Sequence, residues 1–363
     1  MEKRNPIKRI FDLYTSDLSF DEIERLIKRD SAEVYDFFKS EIPKPDPSKN
    51  KFVRTLIFIR SLFNAFILKL TAARRIFYLA ALLIFFIGIV NNLAGYLVAA
   101  FVIVNLLLAF ELADKLTAKD ELTLARKIQN SLTPKHPAKI NKYNITSYYE
   151  PAKEVSGDYY DVIISPIDEN KIYLIVGDIS GKGIAAALYM VRVQAIIHSL
   201  LDKISSVKEI LINLRNYFSK SLQPEYFLTI VAASINKDGD ITICRAGHLP
   251  VLHYKKNSDT FDSINPKGMG IGLNDGGIFE KTLEDKNIET ETGDILLFYT
   301  DGLSETMNEY KNQFGIETLK NIIRKNSDMS VDEIRDKIIQ AVKFFRGNAL
   351  QNDDLTMIIL KTD

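Results

Sequence analysis

Hydrophobic and polar positions divide the chain into an apolar stretch in the first third and a mixed remainder. Residues 76–110 contain no charged side chain. One helix through all of them would run ~50 Å at 1.5 Å per residue, against ~30 Å of bilayer hydrocarbon. We therefore predict a transmembrane hairpin over residues 76–110, with short spans at 76–90 and 96–110 and a turn at 91–95. A buried helical pair in a soluble protein is the alternative.

Basic residues flank the predicted hairpin on both sides. Arg74 and Arg75 precede it, Lys115 and Lys119 follow it, and the turn carries no charge. The positive-inside rule places both ends in the cytoplasm. The expected location is therefore the inner (cytoplasmic) membrane, with the rest of the chain facing the cytoplasm.

Two shorter segments precede the hairpin. Residues 1–50 are typical of a small helical segment, because Ser19 and Glu22 form a capping-box pattern before apolar positions at helical spacing. Residues 51–75 mix basic and apolar side chains. That mixture favours an amphipathic juxtamembrane helix at the membrane surface.

A helical connector is expected over residues 111–138. The segment is polar and favours helix, and Thr133 and Pro134 end the helical pattern. Four apolar residues recur three or four positions apart: Leu122, Ala125, Ile128 and Leu132. This stripe predicts a packing partner, and the same helix of a second subunit in a homodimer is one candidate.

The pattern changes over residues 139–363, where short β-rich runs are separated by turn residues. The runs cover residues 144–149, 158–164, 171–176, 227–235, 240–245, 294–299 and 355–360. Capping boxes at residues 206–209 and 330–333 open two amphipathic helices. Strands and helices do not alternate regularly, which indicates an α+β fold with antiparallel sheets.

Composition removes several classes of function. The chain has 47 basic and 47 acidic side chains, so no strongly basic face is implied and nucleic acid is not an expected partner. Its single cysteine, Cys244, excludes an intrachain disulfide framework and a cysteine-rich zinc site.

Aspartates recur at the ends of the strand-like runs. Asp158 opens one run, Asp178 and Asp301 follow two others, and Asp353 and Asp354 precede the last. Carboxylates at strand ends are well placed to meet at one edge of a sheet, and hard oxygen ligands select Mg²⁺ or Mn²⁺. Converging carboxylates would repel one another unless cations lay between them. Ordinary solvated turn aspartates are the alternative for any single one.

Six segments resemble, in sequence and in order, those of a known family. They are PAKEVSGDYYD, VGDISGKGIAAALYM, RAGHLPVL, GMGIGL, LLFYTDGLSE and NDDLTMIIL. The chain resembles bacterial members of the metal-dependent protein phosphatase family (protein phosphatase 2C type). The resemblance is to their SpoIIE/RsbU-like branch, which controls partner-switching anti-sigma systems, and it covers about residues 120–363.

This resemblance implies a fold and a metal site. The fold would be a β-sandwich flanked by helices. Asp178 would bridge two divalent cations, Mn²⁺ or Mg²⁺, with the backbone carbonyl of Ile179 as a further ligand. Asp301 and Asp353 would complete the site, and Asp158 would bind directly or through water. A water activated by the two cations would attack phosphorus in line.

Two departures from many eukaryotic relatives concern the rest of the site. Ser180 stands where they place a histidine, a candidate acid for the leaving group. They also hold the phosphate with an arginine, for which Lys153 is a weak substitute here. Asp353 is preferred to Asp354 because it occupies the first position of the family's Asp-x-x-Thr-like motif.

The expected function is a membrane-anchored serine/threonine protein phosphatase. By resemblance, its substrate is the phosphoserine or phosphothreonine of an anti-sigma-factor antagonist. A non-catalytic membrane scaffold with a phosphatase-like domain is the alternative, and a small-molecule phosphatase is a third possibility. His248 is interpreted as a strand-end histidine held by backbone hydrogen bonds, because no second histidine lies nearby in sequence to form a metal pair.

Overall fold

The computed structural model describes residues 50–134, 142–236, 239–274 and 276–363. The expected helical segment of residues 1–50 lies outside them except for its last residue, and so do residues 135–138 of the expected connector. The boundary between two compact units falls between Thr117 and Ala118.

Three helices of the described residues precede the first strand. They are α1 (Lys51–Lys69), α2 (Ala72–Val90) and α3 (Ala94–Leu132). Helix α2 begins four residues before the span expected at 76–90. Helix α3 begins two residues before the second expected span, continues through residue 110 without a break, and ends immediately before Thr133 and Pro134.

Small side chains are buried in helices α2 and α3, while large apolar ones are exposed. Ala81 and Ala100 are buried, whereas Phe77, Phe86 and Phe101 are 58%, 66% and 69% exposed. Both helices are long and apolar enough to cross a membrane. A continuous apolar surface of this kind is costly in water and is suited to a lipid environment.

The second unit contains ten strands and six further α-helices among the described residues. The strands are β1 (Tyr143–Glu150), β2 (Asp158–Ile164), β3 (Ile172–Ile179), β4 (Leu228–Ile235), β5 (Ile241–Ala246), β6 (Val251–Lys255), β7 (Thr260–Ile264), β8 (Asp285–Ile288), β9 (Ile295–Tyr299) and β10 (Leu355–Thr362). The helices are α4 (Ile184–Leu201), α5 (Val207–Phe218), α6 (Phe279–Thr282), α7 (Asp301–Glu305), α8 (Ile316–Lys325) and α9 (Val331–Arg346).

These strands form two five-stranded sheets in which every neighbouring pair is antiparallel. The strand orders are β1-β10-β9-β6-β7 and β2-β3-β4-β5-β8. Alternate residues of β3 point to opposite faces of its sheet. Leu174 and Val176 belong to the apolar layer between the sheets, whereas Tyr173 and Ile175 pack with helices α4 and α5.

Helices α8 and α9 cover the outer face of the other sheet, where Leu319 and Ile338 pack with strands β9 and β10. The result is two sheets face to face with helices on both outer faces. This arrangement confirms the expected α+β sandwich flanked by helices.

Helix α4 is also long and apolar enough to cross a membrane. Its buried residues include Met190, Val193 and Ile197, which join the same core cluster as Ile175 of β3. Its apolar composition is therefore accounted for by packing against the sheet.

Candidate active site

The four aspartates expected as metal ligands lie at matching ends of the two sheets. Asp158 begins β2 and lies directly opposite Asp178 near the end of β3. Asp301 begins α7 just after β9 ends, and Asp353 lies just before β10 begins. Because neighbouring antiparallel strands place the end of one beside the start of the next, each pair meets at one edge of its sheet.

Asp158 links the two sheets at this edge. Its carboxylate is buried, and its Oδ2 accepts hydrogen bonds from Thr300 Oγ1 at 2.8 Å and from Thr356 Oγ1. Burial raises the pKa of Asp158 well above its ordinary value, and the negative charges of Asp178 and Asp354 add to that rise. The two hydroxyl groups oppose it by stabilising the ionised carboxylate.

Burial and the negative charges of neighbouring aspartates also raise the pKa of Asp178 and of Asp301. Burial, together with the negative charges of Asp301, Asp353 and Asp354, raises the pKa of Asp178 to about 7. Burial also raises the pKa of Asp301, with Asp353 as the next cause. The site therefore concentrates negative charge in a poorly solvated place, where a cation would be bound favourably.

The Ile179 carbonyl, the expected backbone ligand, lies beside these carboxylates. A Cβ atom at Gly157 would lie 3.1 Å from this carbonyl oxygen, 3.1 Å from Ala186 Cβ and 3.6 Å from Asp178 Oδ1. Glycine at position 157 thus allows the loop before β2 to pass close to the carbonyl. Its absent side chain leaves room at this position.

The donor types present fit the two divalent cations implied by the resemblance. Carboxylate and carbonyl oxygens are the ligands that Mg²⁺ and Mn²⁺ prefer. No three acidic, histidine or cysteine side chains of the described residues converge as a ready metal site. The fit therefore rests on donor chemistry and on the charge that raises the pKa of Asp178 and Asp301.

Comparison with known proteins shows which family the chain belongs to. The model of the family described as Stage II sporulation protein E (SpoIIE) matches residues 168–363, which is more than half of the chain. The chain belongs to the SpoIIE family. The match includes Asp178, Asp301 and Asp353, and the expected branch of the phosphatase family is confirmed.

Two curated relatives are similar to this SpoIIE-family chain. Phosphoserine phosphatase RsbU of Bacillus subtilis (strain 168) is 28% identical over 246 residues, covering 67% of this chain and 70% of RsbU. Phosphoserine phosphatase RsbP of the same organism is 28% identical over 253 residues, covering 68% of this chain and 59% of RsbP.

Solved structures support the fold. The SiaA-PP2C domain of Pseudomonas aeruginosa superposes with a TM-score of 0.60 at 17% identity, covering 69% of this chain and 99% of that domain. The SpoIIE-family unit therefore has the fold of a PP2C domain.

The structure distinguishes the neighbouring Asp353 and Asp354. Asp354 Oδ1 accepts from Ala152 N at 2.7 Å, and its Oδ2 accepts from Ser156 Oγ at 2.6 Å and Gly157 N at 3.1 Å. Asp354 is thus committed to holding the loop that leads to Asp158. Asp353 makes none of these contacts; its Oδ1 accepts from Asp354 N at 3.0 Å and its Oδ2 from Lys182 Nζ at 2.7 Å.

A cation that the sequence analysis did not propose lies beside the carboxylates, while the role expected of Lys153 stays a prediction. Lys153 is exposed and makes no hydrogen bond or ion pair with the described residues. Lys182 instead donates from Nζ to Asp353 Oδ2 at 2.7 Å and to the Asn352 carbonyl at 2.6 Å. The sequence contained one signal for it, since Lys182 lies between two glycines only four residues after Asp178.

Ser180 and His248 have structural partners. Ser180 Oγ accepts from Phe227 N at 2.8 Å, so its hydroxyl fixes the backbone after Asp178. His248 is buried, and burial lowers its pKa to about 4. Its Nε2 donates to the Tyr299 carbonyl at 3.1 Å, which assigns Nδ1 as the acceptor from Thr229 Oγ1 at 2.9 Å. The expected backbone hydrogen bond of this histidine is confirmed.

A buried glutamine joins the end of helix α3 to this site. Gln129 Nε2 donates to the Ser156 carbonyl at 2.8 Å, and Ser156 N donates back to Gln129 Oε1 at 3.0 Å. Gln194 of helix α4 donates to the Leu132 carbonyl at 2.6 Å. Sequence reasoning missed Gln129, because its partner lies 27 residues away. The end of the connector is therefore bonded to the loop that precedes Asp158.

Proposed function

We propose that this protein is a membrane-anchored serine/threonine protein phosphatase that hydrolyses the phosphoserine or phosphothreonine of a partner protein. The observation that carries the proposal is the set of four strand-end aspartates at one edge of a SpoIIE-family PP2C fold. The names of two relatives, phosphoserine phosphatases RsbU and RsbP, support the same chemistry.

The site residues have distinct roles in this proposal. Asp178 would bridge two divalent cations, Mn²⁺ or Mg²⁺, and the Ile179 carbonyl, Asp301 and Asp353 would complete their ligands. Asp158 would bind directly or through water. Bound cations would supply a water of lowered pKa as the nucleophile and would offset charge on the phosphoryl oxygens.

The protein itself prepares this site in two ways. The threonine hydroxyls on Asp158 hold its carboxylate in one orientation at the junction of the two sheets. The hydroxyl of Ser180 and the imidazole of His248 hold the backbone beside Asp178 and before Asp301. These contacts fix ligand geometry before substrate binds, which limits the reorganisation that catalysis requires.

Other candidate nucleophiles do not suit the reaction. Cys244 is buried in β5, and burial raises its pKa to about 12. Its thiol is therefore protonated at physiological pH and screened from substrate. No phosphoenzyme on cysteine is needed, because water is the proposed nucleophile.

The membrane part of the proposal rests on helices α2 and α3. Their exposed phenylalanines and the uncharged stretch of residues 76–110 favour a hairpin in the inner membrane. The basic residues at both ends favour a cytoplasmic location for residues 139–363, the proposed phosphatase domain.

The proposed substrate is a phosphorylated protein of the anti-sigma-factor antagonist type. The support is membership of the SpoIIE family and similarity to RsbU and RsbP over about two thirds of the chain. A non-catalytic scaffold would use the same domain only to bind a partner. The retained aspartates favour the enzyme, since binding alone would not need a concentrated carboxylate site.

Phosphate release tests this function directly. The full chain in detergent would be incubated with each phosphorylated antagonist-type protein of its own cell, with and without MnCl₂. We expect release only with the cation, and none from the Asp178→Ala variant under the same conditions. Binding without release would support the scaffold. Rapid cleavage of a soluble metabolite but of no phosphoprotein would support a small-molecule phosphatase.

A further inference from the structure

The candidate site needs a group that binds the phosphate, and its resemblance to the family leaves that position open. Among the described residues, Lys182 is the one cation that forms an ion pair with any of the four aspartates. Lys153, the candidate from sequence, is exposed and has no such partner there. Lys182 is therefore the candidate side chain for phosphate binding.

Its surroundings hold the ammonium group in a defined place. Lys182 Nζ contacts Asp353 Oδ2 at 2.7 Å and the Asn352 carbonyl at 2.6 Å. An ammonium group has three hydrogen-bond donors, and these two contacts use two of them. The lysine side chain is 48% exposed. One donor is therefore available to a ligand that arrives from solvent.

The loop that carries Lys182 is anchored at its start. Ser180 N donates to the Phe227 carbonyl and Ser180 Oγ accepts from Phe227 N, each at 2.8 Å. Gly181 and Gly183 have φ values of +90° and +86°, which L-residues with side chains rarely adopt. The loop thereby turns sharply on either side of Lys182 and places its side chain against the segment that precedes β10.

We propose that Lys182 binds a phosphoryl oxygen of the substrate and of the phosphate product at the proposed phosphatase site. This inference rests on the proposed function and adds a binding residue to it. Asp353 holds the ammonium group in place, and a phosphate dianion is the ligand that a fixed, partly exposed ammonium binds as a point charge.

A purely electrostatic role is the competing account. Lys182 would then only offset the charge of Asp353, and its loss would change cation binding at Asp353 and leave phosphate binding unchanged. The two accounts differ in which affinity changes, so they can be separated by measuring both.

The test uses the full chain in detergent with saturating MnCl₂ and inorganic phosphate as the probe. Phosphate affinity is measured by calorimetry and as competitive inhibition of phosphoprotein hydrolysis, and Mn²⁺ affinity is measured separately by calorimetry. The variants are Lys182→Met, Lys182→Gln and Lys182→Arg, together with Lys153→Met at the candidate from sequence. Lys203→Met is the matched control, because Lys203 is an exposed lysine beyond the far end of helix α4. Thermal unfolding confirms that each variant is folded.

We expect Lys182→Met and Lys182→Gln to weaken phosphate binding by about tenfold or more, the usual size for a charged hydrogen bond. Lys182→Arg should recover most of the affinity, and Lys203→Met should match the wild type. Mn²⁺ affinity should remain within about threefold, a difference below 1 kcal/mol.

Phosphate affinity within twofold of the wild type in both uncharged variants would overturn the proposal. A change in Mn²⁺ affinity alone would also overturn it, because Lys182 would then only offset the charge of Asp353. So would a loss of phosphate affinity in Lys153→Met and not in the Lys182 variants. Failure of the proposed function has a different signature. In that case no phosphoprotein is hydrolysed, while calorimetry still reports whether phosphate binding depends on Lys182.

Discussion

Asp178 and Asp301 are half-buried among other carboxylates, which raises the pKa of both. Cations bound at the proposed site would offset this repulsion. Asp178→Ala or Asp301→Ala should therefore reduce hydrolysis by more than about 100-fold, since even residues that only support metal ligands account for 10- to 100-fold. The fold should survive, because each change removes a charge that the site destabilises. Circular dichroism and phosphate release measure the two effects.

The metal requirement itself is tested on the wild type. EDTA should stop hydrolysis, and added Mg²⁺ or Mn²⁺ should restore it. Full activity in chelator would rule out a two-metal mechanism.

Asp353 and Asp354 are adjacent, but replacing Asp354 should mainly reduce stability, whereas replacing Asp353 should mainly reduce hydrolysis. Asp354→Ala leaves Ala152 N, Ser156 Oγ and Gly157 N without their acceptor, which should lower the free energy of unfolding by about 1–3 kcal/mol or more. Asp353→Ala should abolish hydrolysis with little loss of stability, because its side chain is partly exposed. Denaturant unfolding and phosphate release on both variants would show this contrast, and equal effects on stability would contradict it.

At the scale of elements, a histidine–aspartate pair joins helix α4 to strand β2. His198 Nε2 lies 2.8 Å from Asp161 Oδ2, and this hydrogen bond is the largest cause of the raised pKa of His198. A histidine whose pKa is raised on folding stabilises the folded protein at pH values below its unfolded-state pKa, ~6.5. That contribution is lost as the pH rises through the folded-state pKa.

We therefore expect the wild type to lose stability relative to His198→Gln as the pH rises from about 6 to above the folded pKa. The difference should stay below ~1 kcal/mol, because the ring is half exposed. Urea unfolding at a series of pH values measures it, with His253→Gln as a comparison at a buried histidine. A stability difference that does not vary with pH would mean that the charge of His198 contributes nothing.

Most strands that the sequence predicts are rich in buried residues, although the buried strand β6 was not predicted. Strand β10 is predicted by its apolar run, and β2 has the predicted bounds, Asp158–Ile164. Strands β7 and β8 lie at sheet edges and are mostly exposed, with the sequences TFDSI and DKNI. Their apolar content is too low for periodicity to separate them from loops, so they were not predicted.

The same limit applies to the site. Its aspartates could be proposed because each adjoins a predicted strand end. Lys182 and Gln129 could not, because their roles depend on partners 171 and 27 residues away. The stripe expected on the connector divides in the structure, with Leu122 and Ala125 half-buried and Ile128 exposed. Periodicity shows one face of a helix and cannot show which part of it the domain covers.

At the scale of the whole molecule, the first prediction concerns topology. If helices α2 and α3 form a membrane hairpin, both of its ends lie on the same side. Reporter fusions near Asn50 and near Pro134 should both report the cytoplasm, as the flanking basic residues predict. A fusion in the uncharged turn at residues 91–95 is the control and should report the opposite side. Reporters on opposite sides at the two ends would mean a single span.

The last prediction is that the connector controls activity through self-association. Helix α3 is continuous from Ala94 to Leu132, and its end is bonded to the site loop through Gln129. Ile128 is 55% exposed and Leu132 is also exposed, so the described residues leave both uncovered. We propose that they pair with the same helix of a second copy. Control of the active site from the membrane requires an element with two states whose equilibrium both regions can shift. Helix α3, either paired with a second copy or unpaired, would be that element.

Changing Ile128 and Leu132 together to serine tests this account in the full chain. The serine variant should lose self-association in detergent, measured by analytical ultracentrifugation, and with it the extra hydrolysis that self-association produces. Hydrolysis by the monomer and the melting temperature should stay near the wild type. Lys127→Ser with Asn130→Ser is the matched control on exposed positions of the same turns. If the stripe instead packed on its own domain, the serine variant would be destabilised and association unchanged. A wild type that is monomeric and fully active in detergent would exclude control by dimerisation, because no paired state would then be needed for hydrolysis.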